Sequence, residues 1–246
     1  MCRDPFLSSL ADYGYSVVRL PMADLAPLQL LLRRGDDLDR LGRLSTVLLP
    51  GRPPGLPRVA RDRRAASVSG RRTGGLDVAV GLSLLGGVIA AMGGSRAGLE
   101  DTYRSARTIT FEFTDVTEDS VELAALDQCL SGARLNPRSA HLGALFDAGE
   151  VHVTTAVIRS RALTVDARDE QGAAVSVELP ALAHVSGGRL TVSHSSDDSA
   201  AIVYTGRESL AFGFRAIRLF YEDGRYAGFD PLAPGKAGLR DIRPRP

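Results

Sequence analysis

The chain has 246 residues, of which 44% are hydrophobic and 24% are charged, and its 30 basic and 29 acidic side chains leave a formal net charge of +1. These proportions are those of a folded soluble domain, so they exclude a wholly disordered chain and a polytopic membrane protein. The near-zero charge excludes a strong overall attraction to nucleic acid, although local patches can still act. Two cysteines, Cys2 and Cys129, cannot form a disulfide framework, and no signal peptide opens the chain, so a cytoplasmic protein is expected.

The first fifty residues predict one short helix, a strand and a helical turn. An aspartate–proline pair at positions 4–5 is typical of a helix N-terminus, and the β-prone run 15–20 predicts a strand. Leucines at helical spacing across 38–44 predict one helical turn, which is followed by an apolar strand at 45–49.

Residues 50–94 divide into a basic half and an apolar half. The basic half, 50–75, holds a single acid, Asp62, and is rich in proline, so it is expected to be a mobile loop. The apolar half, 76–94, contains five glycines, which at roughly 1 kcal/mol each relative to alanine make it a poor helix in water. Two interpretations stay open for it: a segment whose conformation depends on its surroundings, or a glycine-rich strand and turn in an ordinary core.

The middle of the chain predicts a strand between helical segments. Apolar residues alternate across 109–113, as in a strand with one buried face. Asp119 and Glu122 fit a capping box for a helix that runs to about position 130. A second helix is expected over 139–147.

From position 151 the hydrophobic pattern changes to period two. It runs through 151–165 and resumes at 175–179, so the turn at 171–172 predicts a long antiparallel hairpin. Further short strands are predicted at 190–192, 202–205 and 211–221.

The last part of the chain predicts one tight turn and an irregular tail. An aspartate–glycine pair at 223–224 is typical of a hairpin turn. Beyond position 231, proline and glycine are too frequent for a helix or a central strand, so the tail is expected to make only side-chain and edge contacts. Taken together, the elements predict an α+β fold with a twisted central antiparallel sheet and surrounding helices.

The usual catalytic signatures are missing from the sequence. It contains no G-x-S-x-G nucleophile motif, no P-loop, no H-E-x-x-H metal motif and no C-x-x-C pair, and its four histidines are too scattered for a common zinc site. Cys129 is expected to pack as a small hydrophobic side chain on its helix. A hydrolase built on the glycine–leucine–serine run at 81–83 is the weakest interpretation.

The arginines of the basic half favour lipid over nucleic acid. No aromatic residue for base stacking lies among them. Basic clusters beside an apolar segment attract anionic lipid by roughly 1 kcal/mol per residue. The candidates for headgroup contact are Arg58, Arg61, Arg63, Arg64, Arg71 and Arg72.

Three pieces near the N-terminus carry a family resemblance. Residues 2–7 (CRDPFL), 14–21 (GYSVVRLP) and 27–31 (PLQLL) closely resemble the start of bacterial gasdermins, including the N-terminal cysteine. Later pieces agree in order and spacing, so the resemblance extends over nearly the whole chain. These pieces are 38–44, Gly98 and Leu99 with Tyr103, 111–113, 126–127 and 151–160.

The resemblance implies a pore-forming protein that is not an enzyme. Its cytoplasmic protomer would consist of a pore-forming domain at 1–225 and an autoinhibitory peptide at 226–246. Removal of the peptide by a caspase-like or trypsin-like partner protease would let homo-oligomers build a large β-barrel pore in the lipids of the inner membrane, which lyses the cell as antiphage defence. No cofactor and no nucleic acid is implied, although a palmitoyl group is expected on Cys2.

Candidate sites follow for membrane insertion and for the cut. The inserting segments are expected within 46–94 and 151–204. Arg225 is the first candidate for the residue before the cut, because an exposed turn is where proteases gain access. The alternatives are Asp223, Asp230 and Leu232.

The tail also offers apolar anchors that could hold it to the body of the protein. These anchors are Phe229, Leu232, Leu239 and Ile242. The main alternative to the whole interpretation is a soluble lipid- or ligand-binding module, in which truncation of the tail would produce no membrane activity.

Overall fold

The structure is a computed structural model. It describes residues 10–49, 55–66, 68–69, 71–72, 76–78, 81–82, 85–86, 103–136, 140–175, 188–194 and 200–240. Cys2, Ile242, the predicted helix start at 4–5 and most of the apolar run 76–94 lie outside the described residues.

The described residues form a single large sheet with few helices. The strands are β1 (Ser16–Met22), β2 (Gln29–Arg34), β3 (Asp37–Arg43), β4 (Val59–Arg64), β5 (Arg71–Arg72), β6 (Leu76–Asp77), β7 (Thr108–Thr114), β8 (Thr117–Val121), β9 (Val151–Arg168), β10 (Gly188–His194), β11 (Ala200–Glu222), β12 (Arg225–Pro231) and β13 (Gly238–Arg240). The helices are a 3₁₀ turn (Ala11–Tyr13), α1 (Leu44–Val47), α2 (Leu123–Gly132) and α3 (Ala140–Asp147). The predicted α+β class is confirmed, with a sheet that is antiparallel except where β13 joins it in parallel.

Two long strands form the centre of the sheet. β9 has 18 residues and β11 has 23, and they pair antiparallel from Ala201 opposite Asp166 to Arg218 opposite His152. The prediction of strand from position 151 is confirmed. The predicted turn at 171–172 is also observed, since Arg168 bridges antiparallel to Ala174 and the Val175 amide donates to the Ala167 carbonyl at 2.9 Å. Residues 176–179 of the predicted return strand lie outside the described residues, and across 162–166 the two edges of β9 pair with β7 and β11. Period two identifies a strand without identifying its neighbours.

Six strands close into a ring. β11 pairs with β1, β1 with β13, β13 with β3, β3 with β2 and β2 with β9, and β9 pairs back with β11. One buried apolar cluster takes a side chain from every strand of this six-strand ring. Its members from the six strands are Val18, Met22, Leu31, Leu38, Val157, Ala211, Phe214, Ala216 and Leu239.

Two further apolar clusters lie outside the ring. One joins β7 to β9 and includes the stacked rings of Phe113 and Phe212 and the fully buried Leu85 of the apolar run. A Cβ on Gly81 would lie 2.8 Å from the Ile109 side chain, so this glycine is required for close packing. Burial in an ordinary core is thus observed for described residues of 76–94, but the expected strand and turn is limited to β6, because the described residues at 78, 81–82 and 85–86 are helical and the expectation of a poor helix is wrong there. The other cluster packs α2 and α3 against the sheet.

Several local predictions are wrong, and each was overridden by a tertiary contact. Leu38 and Leu41 lie in strand β3, because β2 and β13 supply partners on both of its edges, and Leu44 begins helix α1 where a strand was predicted from position 45. Asp119 lies in β8 and does not cap α2, whose N-cap Glu122 makes no side-chain capping bond. The basic half is not simply a mobile loop, since Val59–Arg64 pairs with β8.

Candidate functional site

The tail begins with a tight hairpin. Asp223 (φ 50°) and Gly224 (φ 72°) form the turn between β11 and β12, and both positive φ angles are those of the two-residue turns that suit a twisted hairpin. The turn predicted from the aspartate–glycine pair is confirmed. β12 then pairs with β11 from Glu222 opposite Arg225 to Ile217 opposite Pro231.

Helix α2 holds the first half of the tail. The Tyr226 hydroxyl donates a 2.6 Å hydrogen bond to the Asp127 carboxylate, and its ring meets the edge of the Tyr221 ring. Burial, the hydrogen bond to Asp127 and the charge of Asp127 all raise the pKa of Tyr226, so this hydroxyl keeps its proton. Phe229 is half-buried against the apolar cluster beneath the helices.

A short linker, residues 232–236, follows β12. The Leu232 amide donates to the Ala216 carbonyl at 2.9 Å, and the Lys236 amide turns back to the Ala233 carbonyl at 3.3 Å. Leu232 packs against the cluster of the ring, whereas Ala233, Pro234 and Lys236 are exposed. The linker is therefore fixed at its start and accessible beyond it.

The second half of the tail is a three-residue strand between β1 and β3. Leu239 pairs in parallel with Val18 on one side and with Leu38 on the other. The Gly238 amide donates to the Asp36 carbonyl at 3.0 Å. Ala237 and Leu239 are both 0% exposed, and both side chains join the cluster of the ring. The expectation that the tail contains no central strand is wrong.

β13 completes the ring. In the described part of the chain β1 and β3 are connected only through β13, and we call the space that it fills the β1–β3 cleft. If β13 left the cleft, backbone donors and acceptors on the facing edges of β1 and β3 would lose their partners, and apolar side chains inside the ring would meet water. An open ring is therefore much less stable than the closed one.

The candidate cut positions all precede β13. Asp223 and Arg225 are exposed at the hairpin, Asp230 is exposed in β12 opposite Arg218, and Leu232 is half-buried at the start of the linker. Of the predicted anchors, Leu239 is the fully buried one, and Phe229 and Leu232 are half-buried. Any of the four cuts would break the covalent connection between β13 and the strands up to β11, and the cuts at the hairpin would leave β12 attached to β13.

Arg159 forms a polar cluster that the sequence did not predict. Its Nε lies 3.3 Å from the Asp119 carboxylate, and its Nη1 donates to the Ala23 carbonyl at 2.7 Å and its Nη2 to the Leu25 carbonyl. Asp119 also accepts a 3.0 Å hydrogen bond from the Asp62 amide. One side chain of β9 thus connects β8, β4 and the β1–β2 loop. No local motif could have revealed it, because Asp119 matched a helix cap.

A second cluster joins β8 to the start of β1. The Tyr15 hydroxyl donates to the Glu118 carboxylate, and the Arg215 guanidinium lies 4.2 Å from the centre of the Tyr15 ring. Burial, followed by the contact with Glu118, raises the pKa of Tyr15. Both clusters hold β8 in its resting position on the sheet.

The basic candidates follow strand β4. Arg61, Arg63 and Arg64 are exposed along it, and Arg58 is exposed just before it. An open groove of about 940 Å³ runs beside them and has Glu122 on its opposite wall. Arg71 and Arg72 form the two-residue strand β5, which pairs with β7. The structure brings the first four arginines to one edge of the sheet.

His152 is buried where β2, β9 and β11 meet. It is 1% exposed, and its Nδ1 lies 3.3 Å from the Glu150 carbonyl, while its Nε2 has no hydrogen-bond partner among the described residues. Burial lowers the pKa of His152 to about 4, and the cations Arg33 and Arg218 act in the same direction. This histidine is neutral at physiological pH.

The described residues contain neither a metal-ligand cluster nor a helix suited to span a membrane. No three histidine, cysteine or acidic side chains converge there as metal ligands. No described helix has the length and apolar content needed to cross a membrane.

Comparison with known proteins gives a consistent result. The model of the Bacterial Gasdermin Family matches residues 18–225. A protein named Gasdermin bGSDM from a Desulfuromonadales bacterium is 45% identical over 245 residues, which cover 100% of this chain and 92% of that protein. One of the same name from Lysobacter enzymogenes is 34% identical, covering 99% and 90%. The solved structure of a bacterial gasdermin from Bradyrhizobium tropiciagri has a similar fold, with a TM-score of 0.59 and 20% identity over 98% of each chain.

Proposed function

The chain belongs to the bacterial gasdermin family, and we propose on that premise that it is an autoinhibited pore-forming protein. In this proposal a partner protease cuts between the body and β13, and the cut protein assembles into a homo-oligomeric β-barrel pore. The pore would form in the inner membrane and lyse the cell during antiphage defence. The protein would act without catalysing a reaction.

One observation carries the proposal, namely that β13 is the strand that closes the six-strand ring. Leu239 lies fully buried inside it, and the candidate cut positions precede it in the chain. A contact of three residues can hold the resting fold because it is intramolecular, so little entropy is lost when it forms. After the cut, the same contact must hold the tail as a separate molecule, which costs translational and rotational entropy.

The strands that would enter the membrane are long enough for the role. A barrel strand needs about 9 to 11 residues to span a bilayer, and closed barrels satisfy every backbone donor there. β9, with 18 residues, exceeds that length and lies wholly within one of the proposed inserting segments. The proposed inserting segments remain 46–94 and 151–204. Their rearrangement would have to break the contacts of Arg159 with Asp119 and of Tyr15 with Glu118.

Controlled cleavage tests the central claim. A recognition sequence for a site-specific protease is inserted between Ala233 and Pro234 in the exposed linker, and an affinity tag at the C-terminus allows the released tail to be removed. We expect no dye release from liposomes by the intact protein and rapid release after cutting and depletion of the tail. The matched control carries a scrambled insert and should stay inactive with protease present. Absence of leakage from the cut, depleted protein would overturn the pore-forming proposal.

Two membrane contacts belong to the same proposal. Cys2 is proposed to carry a palmitoyl group, whose buried methylenes contribute about 0.8 kcal/mol each to anchoring. The intact mass of the protein from its native host, compared with a Cys2→Ser variant, tests this.

The exposed β4 arginines are proposed to meet anionic headgroups at roughly 1 kcal/mol each. Replacing Arg61 and Arg63 with glutamate should reduce leakage of anionic liposomes more than of neutral ones.

A further inference from the structure

We propose that the β1–β3 cleft is a peptide-binding site that keeps the tail after the chain is cut, so that departure of the peptide, rather than the cut, exposes the open ring. The binding partner is a peptide with the sequence of residues 232–246, of which Gly238–Arg240 form the strand that enters the cleft. The effect on membrane activity rests on the proposed function, whereas the binding itself does not. The cut would thus convert a permanent inhibitor into a reversible one.

The cleft recognises the backbone of its occupant from two sides. β13 pairs with β3 at Gly238, Leu239 and Arg240 and with β1 at Leu239. A peptide that adds to one sheet edge gains one set of main-chain hydrogen bonds, as many peptide-binding domains show. Here a single short strand gains partners on both edges, so its affinity per residue should exceed that of ordinary strand addition.

The cleft also selects side chains. Ala237 and Gly238 are both buried, and the Ala237 side chain belongs to the apolar cluster inside the ring. The Leu239 side chain is 0% exposed and packs among apolar neighbours from every other strand of the ring. A charge at this position would be buried without a partner, which is strongly unfavourable. Specificity should therefore lie in the small–small–leucine run at 237–239.

A cut in the linker leaves these contacts untouched. Beyond the cut, Ala237 and Leu239 keep their burial and β13 keeps its pairing, because none of these contacts depends on the exposed residues Ala233 and Pro234. Before the cut, the tether holds the tail at an effective concentration in the millimolar range. After the cut, occupancy of the cleft depends on the actual concentration of peptide.

The experiment uses the full chain with the cleavable linker described above. After cutting, retention of the tagged tail is measured by size-exclusion chromatography at micromolar protein and again after dilution to nanomolar protein. A fluorescently labelled peptide of residues 232–246 is then titrated onto the depleted protein, and anisotropy gives its Kd. We expect co-elution at the higher concentration, loss on dilution and saturable binding of the added peptide.

Matched peptides separate the cleft from non-specific attraction. A peptide with Leu239→Asp should bind at least about tenfold more weakly, since one apolar contact is lost and a charge is buried. A peptide with Ala233→Asp carries the same added charge at an exposed linker position and should bind like the original. Equal affinities of the two variant peptides would overturn the assignment of the cleft.

The outcomes distinguish this inference from the proposed function. If the depleted protein permeabilises liposomes and the added peptide neither binds nor suppresses leakage, the peptide-binding cleft is wrong and the pore proposal stands. If the peptide binds with the predicted specificity but the depleted protein never permeabilises membranes, the cleft stands and the pore proposal is wrong. Should the depleted protein aggregate, exchange of labelled for unlabelled tail within the cut complex still measures binding, and failure to exchange on any timescale would contradict reversibility.

Discussion

The two strands of the tail differ in almost every physical respect. β12 continues a local hairpin and pairs with one strand, and none of its seven residues is buried. β13 has three residues, but it is buried between β1 and β3, which come from the other end of the chain. The comparison teaches that burial and the number of bonded edges, rather than length, decide which part of the tail holds the fold closed.

A charge at the centre of β13 should have the largest effect. Leu239→Asp in the intact chain places a carboxylate inside the ring, at a cost of several kcal/mol unless it is protonated. We expect β13 to leave the cleft and liposomes to leak without any cut. Phe229→Asp, in β12, should leave the uncut protein inactive. Liposome leakage assays, together with hydrogen exchange of the β1 and β3 amides, measure the effects of both substitutions. Equal leakage by the two variants would contradict the difference between β13 and β12.

Truncation of single side chains to alanine compares the two strands by their contribution to the free energy of unfolding. Leu239→Ala removes a fully buried side chain and should lower the free energy of unfolding by about 2 to 5 kcal/mol. Phe229→Ala removes a half-buried ring and should cost clearly less, despite the larger side chain. Urea unfolding of the two purified variants, with Ala233→Gly as an exposed control, gives the values directly. A larger loss at Phe229 would contradict the ranking.

Acid should destabilise the sheet that carries both strands. The pKa of His152 is about 4 in the fold, against about 6.5 in the unfolded chain, so the unfolded state binds the proton more readily. His152 therefore costs no stability above pH 6.5, and its contribution becomes unfavourable as the pH falls from 6.5 to 4, by roughly 3 kcal/mol in total. Urea titrations across this range test the slope. A His152→Gln variant should show a flatter pH dependence, and an unchanged slope would contradict the assignment.

The smallest expected effect concerns the contact of β12 with helix α2. Tyr226→Phe keeps the ring but removes the hydrogen bond to Asp127, so the free energy of unfolding should fall by about 1 kcal/mol. The uncut protein should remain inactive on liposomes, since β13 is unaffected. Asp127→Asn removes the charge from the same contact and should give a similar loss. Spontaneous leakage by Tyr226→Phe would show that β12 contributes more to inhibition than its burial implies.

Local signals in the sequence predicted the elements whose geometry is set locally. Alternation at Ile109, Phe111 and Phe113 identified β7, and the Asp223–Gly224 pair identified the hairpin turn. β13 could not be predicted, because a glycine, a leucine and an arginine have no periodicity and their strand conformation is imposed by distant partners. The same holds for Asp119, whose spacing to Glu122 matched a cap while its actual partner, Arg159, is remote in sequence.

The position of β13 in the chain has a consequence for the order of synthesis. β13 is the last of the described strands in chain order, so a ribosome makes it after every strand that it joins. At about 5 to 20 residues per second, the stretch between the end of β11 and β13 takes roughly a second or more to translate. Under the proposed function, the molecule has the strands proposed for the pore but no inhibitor until β13 has been made and has entered the cleft. Under the same proposal, a premature stop codon or frameshift between the codons of β11 and β13 would make that condition permanent, so faithful translation of this part of the message would protect the cell.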